Sequence, residues 1–229
     1  MDTTAIDPRE IGADEPALAA EGAAAVAAGG PGGASRSLSG EKAQRIVEAM
    51  RKSVARLGTA GSTFDHVARQ AGVSRGLLHY YFGTKEQLLV EAVRRDCELR
   101  MELLEARVAG AQSADDFIGL MVENLRETVS EDPDFITLLF ELFTLSRRSP
   151  EIAAEFAGLM SSTREHVAHM LEVAEGEGIL QLHAAPEAIA DILFSLADGF
   201  ALRMLSEPER DFSQTMLVGI ECARGLLSD

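Results

Sequence analysis

Apolar residues recur at spacings of three and four along most of the chain after Ser39, and this helical period restricts the fold more than any other feature. No segment alternates apolar and polar residues for long enough to predict a β-strand. Four prolines, at positions 133, 150, 186 and 208, stand near the ends of periodic segments, where a proline is tolerated or stops a helix. The sequence therefore predicts an all-α fold of about nine helices.

The first 37 residues differ from the rest of the chain. They are rich in Ala and Gly and carry no apolar period, so they cannot bury enough surface to offset the entropy of ordering. We predict a disordered tail over residues 1–37. The two cysteines of the chain, Cys97 and Cys222, lie too far apart for a disulfide framework or a zinc cluster. With no membrane-length apolar run and no signal peptide, we expect a cytoplasmic protein.

Charge is unevenly distributed along the chain. The formal net charge of −16 alone argues against a nucleic-acid partner. Residues 38–100, however, hold 11 basic and 7 acidic residues, whereas residues 101–229 hold 8 basic and 24 acidic residues. A basic segment joined to an acidic body points to a local surface for a polyanion, although a chance fluctuation explains the charge pattern equally well.

Residues 62–85 read STFDHVARQAGVSRGLLHYYFGTK and carry the clearest functional pattern. The pattern predicts two short helices joined at residues 71–73, where Gly72 permits a sharp turn. Four apolar residues are expected to fix the crossing angle of these helices: Val67, Ala68, Val73 and Leu78. This layout is typical of a helix-turn-helix.

In a helix-turn-helix the second helix enters the major groove, and its first residues reach the base edges. Arg75 is the best candidate for reading a base, because a guanidinium can bind guanine through two hydrogen bonds. Thr63 and Lys85 start the flanking helices and are expected to face phosphates, which fix the register without specifying sequence. The predicted DNA-contacting residues are Thr63, Ser74, Arg75, Gly76, Leu77, His79, Tyr80 and Lys85.

The order and spacing of these residues resemble the DNA-binding domain of the TetR family of transcriptional regulators over roughly residues 40–90. The matching positions are Val67, Ala68, Ala71, Gly72, Val73, Ser74, Gly76, Leu78, Tyr80, Tyr81, Phe82, Lys85, Leu88 and Leu89. Leu77 and His79 depart from the threonine and tyrosine that are frequent in the family. The preferred base sequence therefore does not transfer.

The resemblance implies a helix-turn-helix domain over residues 38–88 and a helical effector-binding and dimerisation domain over residues 89–229. It also implies a ligand-responsive repressor that binds a palindromic operator as a homodimer and is released by a small-molecule effector, with no cofactor. Two alternatives remain: a scaffold or partner-binding protein that has lost DNA affinity, and a helical enzyme. The sequence contains no nucleophile elbow, zinc-protease or phosphate-loop signature for an enzyme.

Two sets of apolar residues follow from the helical period of the acidic body. The predicted effector pocket comprises Phe117, Met121, Leu125, Phe135, Leu139, Phe143, Met160, Met170 and Phe194. The predicted dimer interface comprises Ile189, Leu193, Leu196, Phe200, Leu217, Ile220 and Leu227.

Three polar residues, Glu123, Glu141 and His166, are candidates for the pocket wall, and an acid buried there would predict a cationic effector. His166 and His169 share one helix face, but we interpret this pair as incidental and predict no metal site.

Overall fold

The structure is a computed structural model, and it describes residues 40–228. This part of the chain forms nine α-helices. They are α1 (Gly40–Gly61), α2 (Phe64–Ala71), α3 (Arg75–Phe82), α4 (Lys85–Val108), α5 (Ala114–Glu131), α6 (Pro133–Ser146), α7 (Pro150–Gly176), α8 (Pro186–Ser206) and α9 (Ser213–Leu227). Over residues 40–228 there is no strand, so the predicted all-α fold and helix number are confirmed. The predicted tail lies outside the described residues.

The helix starts follow local signals in the sequence. Three helices begin at a proline, whose missing N–H is not needed in the first turn of a helix. Five helices begin after a Ser or Thr whose side-chain oxygen accepts a hydrogen bond from the amide three residues further on; these residues are Thr63, Ser74, Thr84, Ser113 and Ser149. None of the helices within residues 40–228 is long and apolar enough to cross a membrane.

The core consists of two clusters of buried side chains. The first packs α1–α4 against α6 and α7 and includes Ile46, Leu78 and Leu142. The second packs the C-terminal half of α4 against α5, α7, α8 and α9 and includes Leu171. The domain boundary expected between residues 88 and 89 therefore falls inside one core cluster and inside the continuous helix α4, so no linker separates the two halves there.

Candidate nucleic-acid interface and internal cavity

Helices α2 and α3 form a helix-turn-helix with Gly72 at the turn. Gly72 has φ 67° and ψ 38°, a left-handed conformation that strains residues with a Cβ. The turn is closed by the Val73 amide, which donates to the Ala68 carbonyl at 3.0 Å. Thr63 and Ser74 cap the two helices, so their hydroxyl groups hold local structure in the DNA-free chain.

The predicted core of this motif is present. Val67, Ala68 and Leu78 are buried, and Val73 is half-buried against the same cluster. Phe64 is also buried there, although the sequence analysis did not assign it to the core. These contacts hold α3 in a fixed orientation on α2.

The outer face of α3 presents Arg75, Gly76, His79 and Tyr80 to solvent. Leu77 is instead half-buried against the core, so only part of its side chain faces outward. A Cβ at Gly76 would meet nothing within 4 Å in the chain itself. The lack of a side chain at Gly76 therefore makes room for a molecule that approaches α3 from outside, and not for packing within the chain.

Arg75 is held by two neighbours in the DNA-free chain. Its Nη1 donates to Asp65 Oδ2 at 3.0 Å, and its Nε donates to His79 Nε2 at 3.3 Å. Both members of the Arg75–Asp65 pair are more than half exposed, at 59% and 66%, and such surface pairs contribute little to stability. Arg75 can therefore exchange Asp65 for a base edge at small cost.

His79 is fixed from three sides, which the sequence analysis did not foresee. Its ring lies edge-to-face on Phe64, with the ring centroids 4.6 Å apart. Nδ1 lies 3.2 Å from the Gly83 carbonyl oxygen, which can only accept, so Nδ1 carries the proton and Nε2 accepts from Arg75. Both ring nitrogens are thus engaged, and His79 supports Arg75 instead of offering a free donor.

Lys85 does not stand as a free charge at the start of α4. Its Nζ donates to the Thr59 carbonyl at 2.8 Å, and the side chain is 32% exposed. This bond ties α4 to the last turn of α1, just after Gly58, where φ 64° and ψ 175° interrupt the helix. An ammonium group has three donors, so Lys85 can still contact a phosphate.

Helices α4–α8 enclose a cavity of about 220 Å³. Six of the nine residues predicted for an effector pocket line it: Met121, Leu125, Phe135, Leu139, Met160 and Phe194. The other three residues do not. Phe117 and Met170 are buried in the second core cluster, and Phe143 is 48% exposed and packs against Phe156. Each lies one helical turn from a residue that lines the cavity, Phe117 from Met121, Phe143 from Leu139 and Met170 from Val167, but none of the three is part of the wall.

None of the three polar candidates for the wall reaches the cavity. Glu141 accepts a hydrogen bond from Thr59 of α1 at 3.0 Å. Glu123 is exposed on α5, and His166 pairs with Glu105 at 3.1 Å. The charged residues that do line the cavity are Arg100, Arg164, Asp191 and Asp198. Sequence reasoning missed them, although each lies three or four positions from an apolar lining residue.

A network of charged side chains joins the cavity wall to α1. Arg100, which lines the cavity, donates to Thr128 at 3.2 Å and to Asp132. Asp132 also accepts from Arg51 of α1 at 2.5 Å, and Arg51 lies 2.7 Å from Asp96 of α4. Asp132 is therefore shared between the helix-turn-helix half of the chain and the cavity.

Burial raises the pKa of two groups around this network, Asp96 and Cys97. It raises the pKa of Asp96 even though Arg51 and Arg100 act in the opposite direction. Burial, with a further contribution from Asp96, raises the pKa of Cys97 to about 12. The Cys97 thiol at the cavity therefore stays protonated at neutral pH and is a poor nucleophile and metal ligand.

The residues predicted for a dimer interface divide into buried and exposed sets. Ile189 and Leu227 are 1% and 0% exposed in the second core cluster, where Leu193 and Ile220 also pack, so Ile189 and Leu227 offer no surface to a partner. They pack inside the chain because α8 and α9 also cover α5 and α7.

Phe200 packs within the chain as well. A Cβ at Gly219 would lie 2.8 Å from its ring, so this glycine lets α9 approach α8 closely. Leu196 is half-buried, and Leu217 is 54% exposed. Three further apolar residues on the same two helices are exposed: Ile192, Leu202 and Val218.

The histidines of α7 do not form a metal site. His166 is paired with Glu105, and His169 lies 3.8 Å from Glu172. Over residues 40–228, no group of three or more His, Cys, Asp or Glu side chains is arranged to hold a metal ion.

Comparison with known proteins agrees with this arrangement. Residues 46–92 match the family described as bacterial regulatory proteins, tetR family, and residues 112–220 match the tetracyclin repressor-like C-terminal domain. The chain is 27% identical over 164 residues to the HTH-type transcriptional repressor AcnR of Corynebacterium efficiens, covering 70% of this chain and 80% of AcnR.

Two solved structures share the fold. A structure from Saccharomonospora viridis in complex with choline aligns with a TM-score of 0.65 at 21% identity, covering 83% of this chain and 100% of the other. The regulator FadR from Bacillus subtilis, in complex with stearoyl-CoA, aligns with a TM-score of 0.64 at 16% identity, covering 79% of this chain and 98% of FadR.

The helix-turn-helix with an exposed α3, the helical body and the two family matches define a ligand-responsive, DNA-binding transcriptional regulator. The chain belongs to the TetR family.

Proposed function

We propose that this chain is a repressor that binds a palindromic operator as a homodimer and is released when a small molecule enters the cavity between α4 and α8. The observation that carries this proposal is the shared carboxylate of Asp132, which joins cavity-lining Arg100 to Arg51 of α1. In this arrangement, residues 38–88 are the DNA-binding domain, and residues 89–229 sense the effector and dimerise.

DNA contact in this proposal centres on α3. Arg75 reads a base edge, His79 orients Arg75, and Gly76 allows the groove to approach. Thr63, Ser74, Tyr80 and Lys85 face the phosphates, and Leu77 adds a partial apolar contact. The basic segment favours DNA at this end of the chain, while the acidic body repels it elsewhere.

Dimerisation in this proposal uses the outer faces of α8 and α9. Ile192, Leu202, Leu217 and Val218 on these two helices are between 49% and 64% exposed, so their apolar side chains are available to a partner. A symmetric pair of chains would cover these residues with two helices from each partner. It would also place two α3 helices on one DNA duplex.

The effector and the operator DNA act on each other because they prefer different conformations of the chain. An effector can release DNA only to the extent that it binds more tightly to the conformation that does not fit the operator. The ion network offers a physical connection, because a change at Arg100 alters the competition for Asp132. The structures that hold choline and stearoyl-CoA support an effector site inside this fold.

We further propose that the chain works in the cytoplasm by binding alone, with no cofactor and no turnover of its effector. The similarity to AcnR, a transcriptional repressor of the bacterium Corynebacterium efficiens, supports this proposal, because bacterial DNA lies in the cytoplasm. Recovery of a chemically altered effector after incubation with the protein would point to an enzyme instead.

Selection of random duplex DNA by the purified full chain, at near-physiological salt, tests the proposed function. We expect enrichment of a palindrome whose half-sites lie about one helical turn apart. The Arg75→Ala variant serves as the matched control and should enrich a more degenerate site. If the wild-type chain enriches no sequence, the helix-turn-helix serves another purpose, such as contact with a protein partner.

A further inference from the structure

Asp198 is the acid in the cavity wall that lacks a charged partner within residues 40–228. Asp191, the other acid there, lies 3.8 Å from Arg164. Asp198 makes no hydrogen bond or ion pair with any residue between 40 and 228. Asp198 is exposed and therefore lies at the edge of the cavity. The packed helices around it still exclude enough water to raise the pKa of its carboxyl group.

The positive charges of the cavity are already balanced. Arg100 is bound by Asp132, and Arg164 has Asp191 and Ser161 as neighbours. An anionic ligand would gain little from either arginine, because a nearby carboxylate already neutralises its charge. A cation would gain more at Asp198, which has no charged partner within residues 40–228.

The surroundings of Asp198 also suit an apolar body attached to that cation. Phe194 lies one turn before Asp198 on α8, so its ring and the carboxylate share one face of the helix. Aromatic faces attract cations as well as apolar groups. The other aromatic ring of the wall, Phe135, already lies under Arg100, with the guanidinium carbon 4.1 Å from the ring centroid.

We propose that the effector is an amphiphilic organic cation, whose charged nitrogen binds beside Asp198 and Phe194 and whose apolar body fills the cavity. This inference rests on the proposed function, since it names the chemical class of the effector for the same cavity. The rest of the wall is mostly apolar, with Leu104, Met121 and Ile136 among its residues, and it excludes a ligand that is polar throughout.

Binding of three compounds with one carbon skeleton tests this inference: 4-phenylbutylamine, 4-phenylbutan-1-ol and 4-phenylbutanoate. At neutral pH they are cationic, neutral and anionic. Calorimetric titration of the full chain should show the amine binding about tenfold more tightly than the alcohol, and the carboxylate binding weakest. The Asp198→Asn variant should lose the preference for the amine over the alcohol.

The matched control is Glu187→Gln, which removes one negative charge from an exposed position of α8 outside the cavity. It should keep the preference for the amine. Since Asp198 has no partner to lose within residues 40–228, Asp198→Asn should fold normally, and thermal unfolding checks this.

The inference is overturned if the carboxylate binds best, if none of the three compounds binds, or if Asp198→Asn retains the wild-type order. Each of these results would leave the proposed function standing whenever the DNA selection still enriches a palindrome. Failure of the selection would instead remove the proposed function, whatever the three compounds do.

Discussion

Arg75 is the residue on which sequence-specific binding depends in this account. In the DNA-free chain it is held by Asp65 on one side and by His79 on the other. On DNA it must release Asp65, whereas the bond that it donates to His79 can persist, because this bond uses Nε of the guanidinium and leaves both terminal nitrogens for a base. The orientation of Arg75 is thus prepared before DNA arrives.

Replacing Arg75 with alanine should cost about 1–3 kcal/mol of operator binding and relax the choice of base at one step in each half-site. The reason is the loss of paired hydrogen bonds to one base edge. Competition between the selected duplex and duplexes altered at single positions measures the effect. Arg75→Lys should lose part of this discrimination while keeping the charge, since an ammonium lacks the planar, fixed pair of donors that a guanidinium offers to a base edge. Unchanged discrimination in both variants would move the reading role away from Arg75.

Replacing Lys85 with alanine should weaken binding to all duplexes and also destabilise the fold. Lys85 bonds the Thr59 carbonyl at 2.8 Å, and hydrogen bonds to charged groups contribute about 1.5–3 kcal/mol. Chemical denaturation and DNA titrations at several salt concentrations measure the two effects separately. The exposed Lys52, which bonds only Glu48 of its own helix among the described residues, offers a control: Lys52→Ala should leave stability nearly unchanged. Full stability in Lys85→Ala would show that the Thr59 bond contributes little.

At the scale of helices, α1 and the cavity wall are joined by Arg51, Asp132 and Arg100. Helix α4 supplies both Asp96 and Arg100 and runs from the helix-turn-helix into the body. The two halves of the chain therefore share a helix, a core cluster and an ion network. We therefore expect a substitution in one half to change the effect that a substitution in the other half has on the free energy of unfolding.

A double-mutant cycle with Arg51→Met and Arg100→Met tests this dependence. The two changes should be non-additive by about 0.5–3 kcal/mol in unfolding free energy, because both arginines bind the same carboxylate. Denaturant unfolding of the two single variants and the double variant supplies the measurement. A cycle that pairs Arg51→Met with a change at exposed Arg126 should be additive. Additivity in the first cycle would mean that Asp132 does not link α1 to the cavity energetically.

Sequence patterns predicted the helices and the helix-turn-helix well, because caps, prolines and apolar periods are local signals. They also found most apolar residues of the cavity, since these stand on the inner faces of their helices. They could not find Asp198 or Asp132, because an acid within a helix or at its end is expected to face solvent until its neighbours in the fold are known. The same limit explains why Glu141 was wrongly placed in the cavity wall: its contact with Thr59 is 82 positions distant in the chain.

At the scale of the whole molecule, the uneven charge and the exposed apolar residues of α8 and α9 support the same proposal, a dimer that binds DNA. In the proposed dimer, the basic end faces DNA, and α8 and α9 face the second copy of the chain. Because Ile189 and Leu227 are buried, the proposed dimer contact uses the exposed residues Ile192, Leu217 and Val218 instead. The partner in this account covers a face that the chain's own core leaves open.

Replacing Val218 with aspartate should shift the chain from dimer to monomer, because a charge would be buried in an apolar contact. Light scattering of the purified variant gives the molar mass directly. Leu103→Asp is a matched control, since Leu103 is 58% exposed on α4, away from this face. The Val218 variant should also lose operator affinity, because a single half-site binds weakly. A dimer that persists in Val218→Asp would place the interface elsewhere.

Protection of guanine N7 from methylation, on the selected operator, tests most directly whether paired α3 helices read the major groove. Two guanines related by the operator's two-fold axis should be protected by the wild-type chain, since Arg75 would bind N7 and O6 of each. Both protections should disappear with Arg75→Ala under conditions where the variant still occupies the DNA. An operator with no protected guanine, or protection that Arg75→Ala leaves intact, would contradict the account.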